Sequence, residues 1–531
     1  MPARNATDDG PRSSRRVPGL LLAALAALGG WVTNLGFPDA DVWWLAIVGV
    51  AFLAVTLHAT GTWGRGAWRS AGLGFVWGLA FFLPHLVWAD VSVGALPWVA
   101  LSVAQAGMVA LAAAAHAWAR RAPWLGRREW FQPVVFAVVW TAVELLRSHY
   151  PFGGFPWGRI AFSQAGSPLG RLAWLGGAPL VSAATVFVAG LLAFGVVRLL
   201  QLRLTGPAGA VIVAAAVTAS GMFVPLATRA EAGTVRVGAV QGNVAEPGSS
   251  SFGHQLEVTG NHVDGTRLVA ERAGEGGLDL VVWPENASDV DPRVHAEGRT
   301  LIEDAVEAAG VPLLFGTQEY VTGGRYNQAV LWVPDEGITH VYAKQVPAAF
   351  AEYIPWRSFF EKLSDKVALV RTDMLAGTEV GAVPVPVDRL GRDVVVAPII
   401  CFEVAYDKIA RSSVQAGAEL LLVPTNNSNF GYTAESTQQL AMTRLRAIET
   451  GRAAIQISTV GVSGVVDPAG RVLERTGLFT AEQLLAELPL RTSTTPAVVL
   501  GGWVELAVAL GAAVLAGVGI VSGARSRSRR K

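Results

Sequence analysis

Charge is scarce in this chain. Of its 531 residues, 16% are Asp, Glu, Lys or Arg, while 52% are hydrophobic and mean hydropathy is +0.40. So little charge excludes a string of water-soluble domains filling this length; the balance is that of a membrane protein. Net charge is +1, so no global basic field supports nucleic acid as a partner. Lysine is rare, five against 37 arginines, which makes each lysine worth a reason. Cysteine is rarer. Cys401 is the single one, which excludes an internal disulfide and a cysteine-based metal site and says nothing about redox compartment. Paired histidines at metal spacing and a glycine-rich phosphate loop are missing too, so no metal, nucleotide or other cofactor is expected.

What is present divides the chain. Seven apolar stretches, near 18–36, 43–60, 71–90, 95–118, 132–149, 174–197 and 209–228, precede a charged segment, and an eighth, 498–522, follows it. Each approaches the roughly 20 residues that cross a hydrocarbon core of about 30 Å. Between them, 233–490 alternates short β-branched runs with polar helical segments ("TVRVGAVQGN", "LDLVVWPEN", "ELLLVPTNNS") and reads as one α/β domain. The expected organisation is a tail at 1–17, seven transmembrane helices over 18–230, the α/β domain at 233–490, an eighth helix at 498–522 and a basic tail at 523–531.

Basic residues set the expected orientation. Arg4, Arg12, Arg15 and Arg16, then Arg65 and Arg69, then Arg120, Arg121, Arg127 and Arg128, then Arg198 and Arg203, and the C-terminal cluster all fall on one side if there are eight spans. Both termini are then cytoplasmic, and the α/β domain lies on the extracytoplasmic face of the cell membrane.

Three strand-like runs of that domain end in reactive side chains. "LVVW" leads through Pro284 to Glu285; "HVYA" leads to Lys344, with Glu352 eight residues on; "VAPII" leads to Cys401, with Phe402 and Glu403 behind it. Singly, each has a bland reading: acids end many strands, a lysine is usually solvated, and a buried free cysteine behaves as a small hydrophobe. Together they form a set with a purpose. A thiol needs a base and a positive group to act as a nucleophile, and Glu, Lys and Cys supply all three.

In the contexts "VVWPEN", "AKQVPAAFAEYIPW" and "IICFE", this set resembles the carbon–nitrogen hydrolase (nitrilase) superfamily. "PFGGFPWGRIAFSQAGSPLGRLA" at 151–173, between spans five and six, resembles bacterial apolipoprotein N-acyltransferases, as do "VQGNV", "RYNQAV" and "RLRAIETGRAAIQISTVGVSGVVDPAG". The resemblance implies an αββα sandwich for 233–490. It implies Cys401 as nucleophile, Glu285 as general base and Lys344 as oxyanion stabiliser, with Glu352, Glu403, Phe402 and Asn327 in support; Trp157, from its place in "GFPWG", is expected near the lipid substrate. It also implies a phospholipid acyl donor, a diacylated apolipoprotein acceptor and a thioester intermediate. Two positions depart from the family pattern: Phe402 stands where tyrosine is common, and Asn429 in "NNSNFG" stands where tryptophan is common.

Two other readings compete. A membrane-tethered amidase or nitrilase would use the same triad without needing the 151–173 segment. A non-enzymatic scaffold for a polyprenol-phosphate glycosyltransferase would not need the triad. Outside the site, Glu144 and Arg147 read as an interface ion pair or a brace for the 151–173 loop, and His58, His85 and His116 lack ligand spacing. Trp43, Trp44, Trp88, Trp98, Trp140, Trp157 and Trp174 mostly suit interfacial belts.

Overall fold

The computed structural model of the chain describes residues 18–60, 66–122, 128–244 and 256–528. The expected tail at 1–17 lies outside the described residues. Among the described residues, apolar helices of differing length occupy the eight apolar stretches: α1 (Gly19–Asn34), α2 (Trp43–His58), α3 (Gly66–His85) with its short extension α4 (Val87–Val93), α5 (Ala95–Ala119), α6 (Gln132–His149), α7 (Ala173–Leu200), α8 (Pro207–Ser220) and a C-terminal helix, Trp503–Ser528. Among the described residues, four segments are long and apolar enough to cross a bilayer unaided: Ala95–Ala119, Glu129–His149, Leu169–Leu200 and Trp503–Ser522. The bent pair α3–α4 makes a fifth, and Gly19–Asn34, Trp43–His58 and Pro207–Phe223 are shorter.

The third stretch differs from its sequence reading. Its helix starts at Gly66 rather than at 71, and it breaks at Leu86, with α4 turned by 56°. Pro84 lies in the last turn of α3; it brings no amide hydrogen and crowds the preceding turn, so the helix cannot continue straight. The last stretch also shifts. Gly501, at φ +51°, separates a short turn at Pro496–Leu500 from the long helix Trp503–Ser528, so the apolar segment long enough to cross a bilayer starts at Trp503 rather than at 498 and ends at Ser522. In α7, Gly176 and Gly177 leave helical geometry, and Gly177 has φ +66° with Glu449 Oε1 only 2.8 Å from where a Cβ would stand. No side chain fits there.

Two of the seven tryptophans expected at the interfaces are internal, while Trp44 is half exposed. Trp140 packs edge-on against Trp77 with centroids 5.4 Å apart, and Trp157 is fully buried. Arg147 Nη1 donates to the carbonyls of Phe155 and Trp157, both at 2.8 Å, and Glu144 Oε1 accepts from the Ile160 amide at 2.9 Å. These two residues brace the 151–173 loop, as one of their sequence readings had it.

From Thr234 to Pro489 the chain builds two six-stranded sheets. The first runs in the order β12 (Glu482–Pro489), β1 (Thr234–Gln241), β2 (Leu280–Val282), β3 (Leu313–Val321), β4 (Gly324–Val333), β5 (Gly337–Ala343). The second runs β11 (Val472–Arg475), β10 (Gly464–Val466), β9 (Ala453–Ser458), β8 (Leu420–Thr425), β7 (Arg392–Pro398), β6 (Val383–Val387). Central strands are parallel (β1–β2–β3 and β7–β8–β9), which explains their unbroken apolar runs: both faces are covered. Between the sheets lie Val237, Val282, Leu331, Val385, Val396 and Ile455. Burying each such side chain contributes about 1.5–3 kcal/mol.

Helices α9 (Glu257–Ala273) and α10 (Ala296–Ala309) cover the first sheet. Helices α11 (Asp407–Gln415) and α12 (Glu435–Thr450) cover the second, and their apolar side chains join those of the membrane helices in one continuous cluster. The layer order is helix, sheet, sheet, helix, and the second helix layer is seated on the membrane helices.

Candidate active site

The site forms where strands end. Glu285 follows β2, Lys344 follows β5 and Cys401 follows β7, so the fold brings together the three side chains the sequence singled out. The Glu285 turn packs close on β3, where Gly316 leaves it room: a Cβ there would meet Pro284 O at 2.5 Å and Glu285 Cα at 2.7 Å. Cys401 opens a 3₁₀ turn, Cys401–Ala405, with φ +54°, a conformation a side chain adopts at a cost of about 1–3 kcal/mol. Such strain persists only where neighbours enforce it, and it lifts the thiol off the end of the strand.

Glu285 is buried and held at both oxygens. Oε1 accepts from Asn327 Nδ2 at 2.5 Å, and Oε2 accepts from the Asn426 amide at 2.9 Å. Lys344 Nζ stands 3.5 Å from Glu285 Oε1 and donates to Glu352 Oε1 at 2.6 Å. Glu352 Oε2 takes the Ala348 amide at 2.7 Å, which fixes it as the outer partner of the lysine. Burial alone would depress the Lys344 ammonium, but the charges of Glu352, Glu285 and Cys401 outweigh it and hold the group above its ordinary range. It is therefore a permanent cation in a dry site.

The thiol is not pre-ionised. Burial, and then the charge of Glu285, push Cys401 well above the usual thiol range; Lys344 and a hydrogen bond from Thr425 Oγ1 to Sγ (3.5 Å) oppose this only in part. Cys401 nonetheless keeps a partly accessible face. A neutral thiol beside a carboxylate and a fixed cation suits deprotonation during attack rather than before it.

Glu403 lies fully buried behind this set. Its carboxylate accepts from the amides of Gln345 (2.6 Å), Val346 (3.2 Å) and Ile400 (2.8 Å) and from the Tyr342 hydroxyl (3.0 Å). It thus ties the lysine's loop to the cysteine's turn. Burial, only partly offset by Lys344 and these donors, raises its pKa to about 7.

Phe402 is one leaf of an aromatic stack. Its ring lies parallel to Trp157 (5.7 Å, 7°) and stacked on Phe155 (5.6 Å, 29°), both from the 151–173 loop. A ring without a hydroxyl suits this apolar slot. Trp157 Nε1 donates to Gln438 Oε1 of α12 at 2.6 Å. The loop that the sequence set apart is therefore packed directly against the residue after the candidate nucleophile. Among the described residues no cluster of three or more His, Cys, Asp or Glu is disposed to hold a metal ion.

Sequence reasoning missed a fourth strand end. β8 delivers Thr425, Asn426 and Asn427 to the same place, and α12 presents Glu435 and Gln439 behind them. The signal was available in "LLLVPTNNS", an apolar run ending in polar residues like the other three. Glu435 had none, since an acid in the first turn of a helix is ordinary.

A membrane domain fused to this sheet-ended Glu–Lys–Cys arrangement defines the class: a membrane-bound enzyme of the nitrilase superfamily. Residues 236–495 match the carbon–nitrogen hydrolase family model, and residues 29–191 match that of the apolipoprotein N-acyltransferase N-terminal domain. The apolipoprotein N-acyltransferase of Mycolicibacterium smegmatis is 34% identical over 93% of this chain and 84% of its own length; that of Pseudomonas aeruginosa is 30% identical over 90% and 91%. Among solved structures, an amidase from Nesterenkonia sp. aligns with 50% of this chain and 94% of its own, at 20% identity and a TM-score of 0.35. The chain belongs to the apolipoprotein N-acyltransferase family and is an N-acyltransferase.

Proposed function

We propose that this enzyme moves a fatty acyl chain from a membrane phospholipid to the N-terminal amine of a diacylglyceryl-cysteine apolipoprotein, by a ping-pong route through a thioester on Cys401. The observation that carries the reading is the joining of one thiol, one buried carboxylate and one buried cation. In the first half-reaction Glu285 takes the thiol proton as sulfur attacks the ester carbon. Lys344 Nζ and the Phe402 amide face the oxyanion, each such donor worth about 3–4 kcal/mol. The carbon–oxygen bond breaks, and lysophospholipid leaves with the proton from Glu285. In the second half a neutral amine attacks the thioester, Glu285 accepts its proton, the carbon–sulfur bond breaks and the thiol is restored. Ester and amine become amide and alcohol, with no external proton or electron.

The membrane helices belong to the same reading. Both substrates are lipid-anchored, and α12 together with the Phe402 turn packs on the 151–173 loop and the helices below. We place the catalytic unit (233–490) on the outer face between seven helices and an eighth, with both termini cytoplasmic, on the strength of the arginine distribution. Reconstitution with phospholipid vesicles and a diacylated lipopeptide tests the reading against an amidase. The expected outcome is a lipopeptide heavier by one acyl chain; ammonia released from simple amides with no lipopeptide product would refute it.

A further inference from the structure

Behind the thiol lies a buried polar chain that the acyl-transfer steps do not use. The Thr425 hydroxyl, with one proton to donate, faces three acceptors: Gln439 Oε1 at 2.9 Å, Asn427 Oδ1 at 3.4 Å and Cys401 Sγ at 3.5 Å. Asn427 Nδ2 donates to Gln439 Oε1 (3.2 Å) and to Glu435 Oε2 (2.5 Å), while Ser458 Oγ donates to Asn427 Oδ1 at 2.5 Å. Thr425, Asn427, Glu435, Gln439 and Ser458 are each at most 3% exposed. A carboxyl group thus sits at one end of a dry hydrogen-bonded chain, and the sulfur sits at the other.

We infer that Glu435 is a positioning residue for the nucleophile: held as a neutral carboxylic acid, it fixes Asn427, which with Gln439 holds the Thr425 oxygen against Cys401 Sγ, and its neutrality keeps a second negative charge away from Glu285. This rests on the reading of Cys401 as the nucleophile. The charged neighbours support it. Glu285, from the first sheet, and Cys401, from the 3₁₀ turn, interact with Glu435; Lys344 is already committed to Glu352 and Glu285. No cation compensates Glu435 among the groups that act on it. Burial raises its pKa to about 8, against the bond from Asn427 and with the Glu285 charge. Were it ionised, its charge would push the thiol further up and make the thiolate scarcer at any given pH. The thiol should therefore gain reactivity with pH less steeply than it would beside a group that cannot ionise.

The test needs no lipid substrate. Cys401 is the single cysteine, so alkylation of the full-length protein in detergent by iodoacetamide reports on one atom. Rates would be measured between about pH 6.5 and about pH 9.5 for wild type, Glu435→Gln and Glu435→Ala, with a melting curve for each. The amide of Glu435→Gln can still bond Asn427 but cannot ionise. The ratio of the Glu435→Gln rate to the wild-type rate is expected to rise about tenfold across that range, as one full charge beside the thiol implies. Glu435→Ala, if folded, is expected to react more slowly than Glu435→Gln at every pH, because Asn427 loses its partner while the charge is absent from both; if it does not fold, the Gln comparison decides alone. Wild-type and Glu435→Gln profiles that stay parallel would overturn the proposal. Failure of acyl transfer to lipopeptide, with the alkylation profiles diverging as expected, would instead count against the proposed reaction.

Discussion

Cys401 and Glu403 stand two residues apart and do opposite jobs. The first is strained outward and keeps an accessible face; the second is wholly enclosed and gathers three amides and a phenol. Because burial raises Glu403 from 4.5 to about 7, the folded state favours its proton. That contribution to stability is fully present below about pH 4.5 and is lost as pH rises through about 7. Wild-type protein should therefore lose thermal stability between about pH 5 and about pH 8 relative to Glu403→Gln, which cannot titrate; melting temperatures at both values check this, and identical pH slopes would refute it. Phe402 makes a second residue-level prediction. Removing its ring with Phe402→Ala empties the slot between Phe155 and Trp157 and should cost about 3–5 kcal/mol, whereas Phe402→Trp should clash. Unfolding by denaturant measures the first, and a loss under 1 kcal/mol, about the worth of a surface contact, would show that the stack is not tight.

How much of this was legible follows from what each residue does. Glu285, Lys344 and Cys401 announce themselves because each is a reactive type placed after an apolar run, and lysine and cysteine are rare here. Asn426 was illegible because it works through its backbone amide, which every residue has. Glu435 was illegible because its significance comes from burial, supplied by β8, β9 and α12 together. Trp157 was placed near the lipid from its loop alone; the structure puts it one ring from the candidate nucleophile's neighbour, fully enclosed.

At the scale of elements, the junction between the two domains is electrostatic at its centre. Arg159 of the 151–173 loop and Arg446 of α12 meet Asp407 at 2.7 and 2.6 Å; Arg446 also pairs with Glu449, and Arg411 with Glu505 of the C-terminal helix. Arg446 further donates to the Val404 and Ala405 carbonyls at 2.8 and 2.9 Å, so the same side chain holds the end of the Cys401 turn. Burial would raise Asp407, but Arg159, Arg446 and Arg411 hold it well below the carboxylate range. Removing one member leaves an uncompensated buried charge, at a cost of about 3–5 kcal/mol. Arg446→Met should therefore destabilise the whole protein and slow thioester formation together, and high salt should not mimic it because the pairs are dry. A variant as stable as wild type would contradict this. The pattern of apolar runs foretold where the helices are. It did not foretell the bend at Leu86 or the order of strands in the two sheets, since those depend on Pro84 and on partners far apart in the chain.

At the scale of the molecule, one apolar cluster runs from membrane helices such as α1 and α3 into α11 and α12, so the catalytic unit and the helices form one folded body. With the arginine-rich connections cytoplasmic, a cysteine placed at exposed Glu275 in a Cys401→Ala background should react with a membrane-impermeant maleimide in intact cells, and one placed at Arg121, at the end of α5, should react only after permeabilisation. The reverse pattern would invert the proposed topology. The central claim is that Cys401 carries the acyl chain. Full-length protein incubated with a phospholipid of isotopically labelled acyl chain, then digested, should give a Cys401 peptide heavier by that chain. Hydroxylamine should remove the label, and brief addition of diacylated lipopeptide should move it to the lipopeptide amine. Labelled lipopeptide formed equally by Cys401→Ala, with no acylated Cys401 peptide in the wild type, would contradict the account.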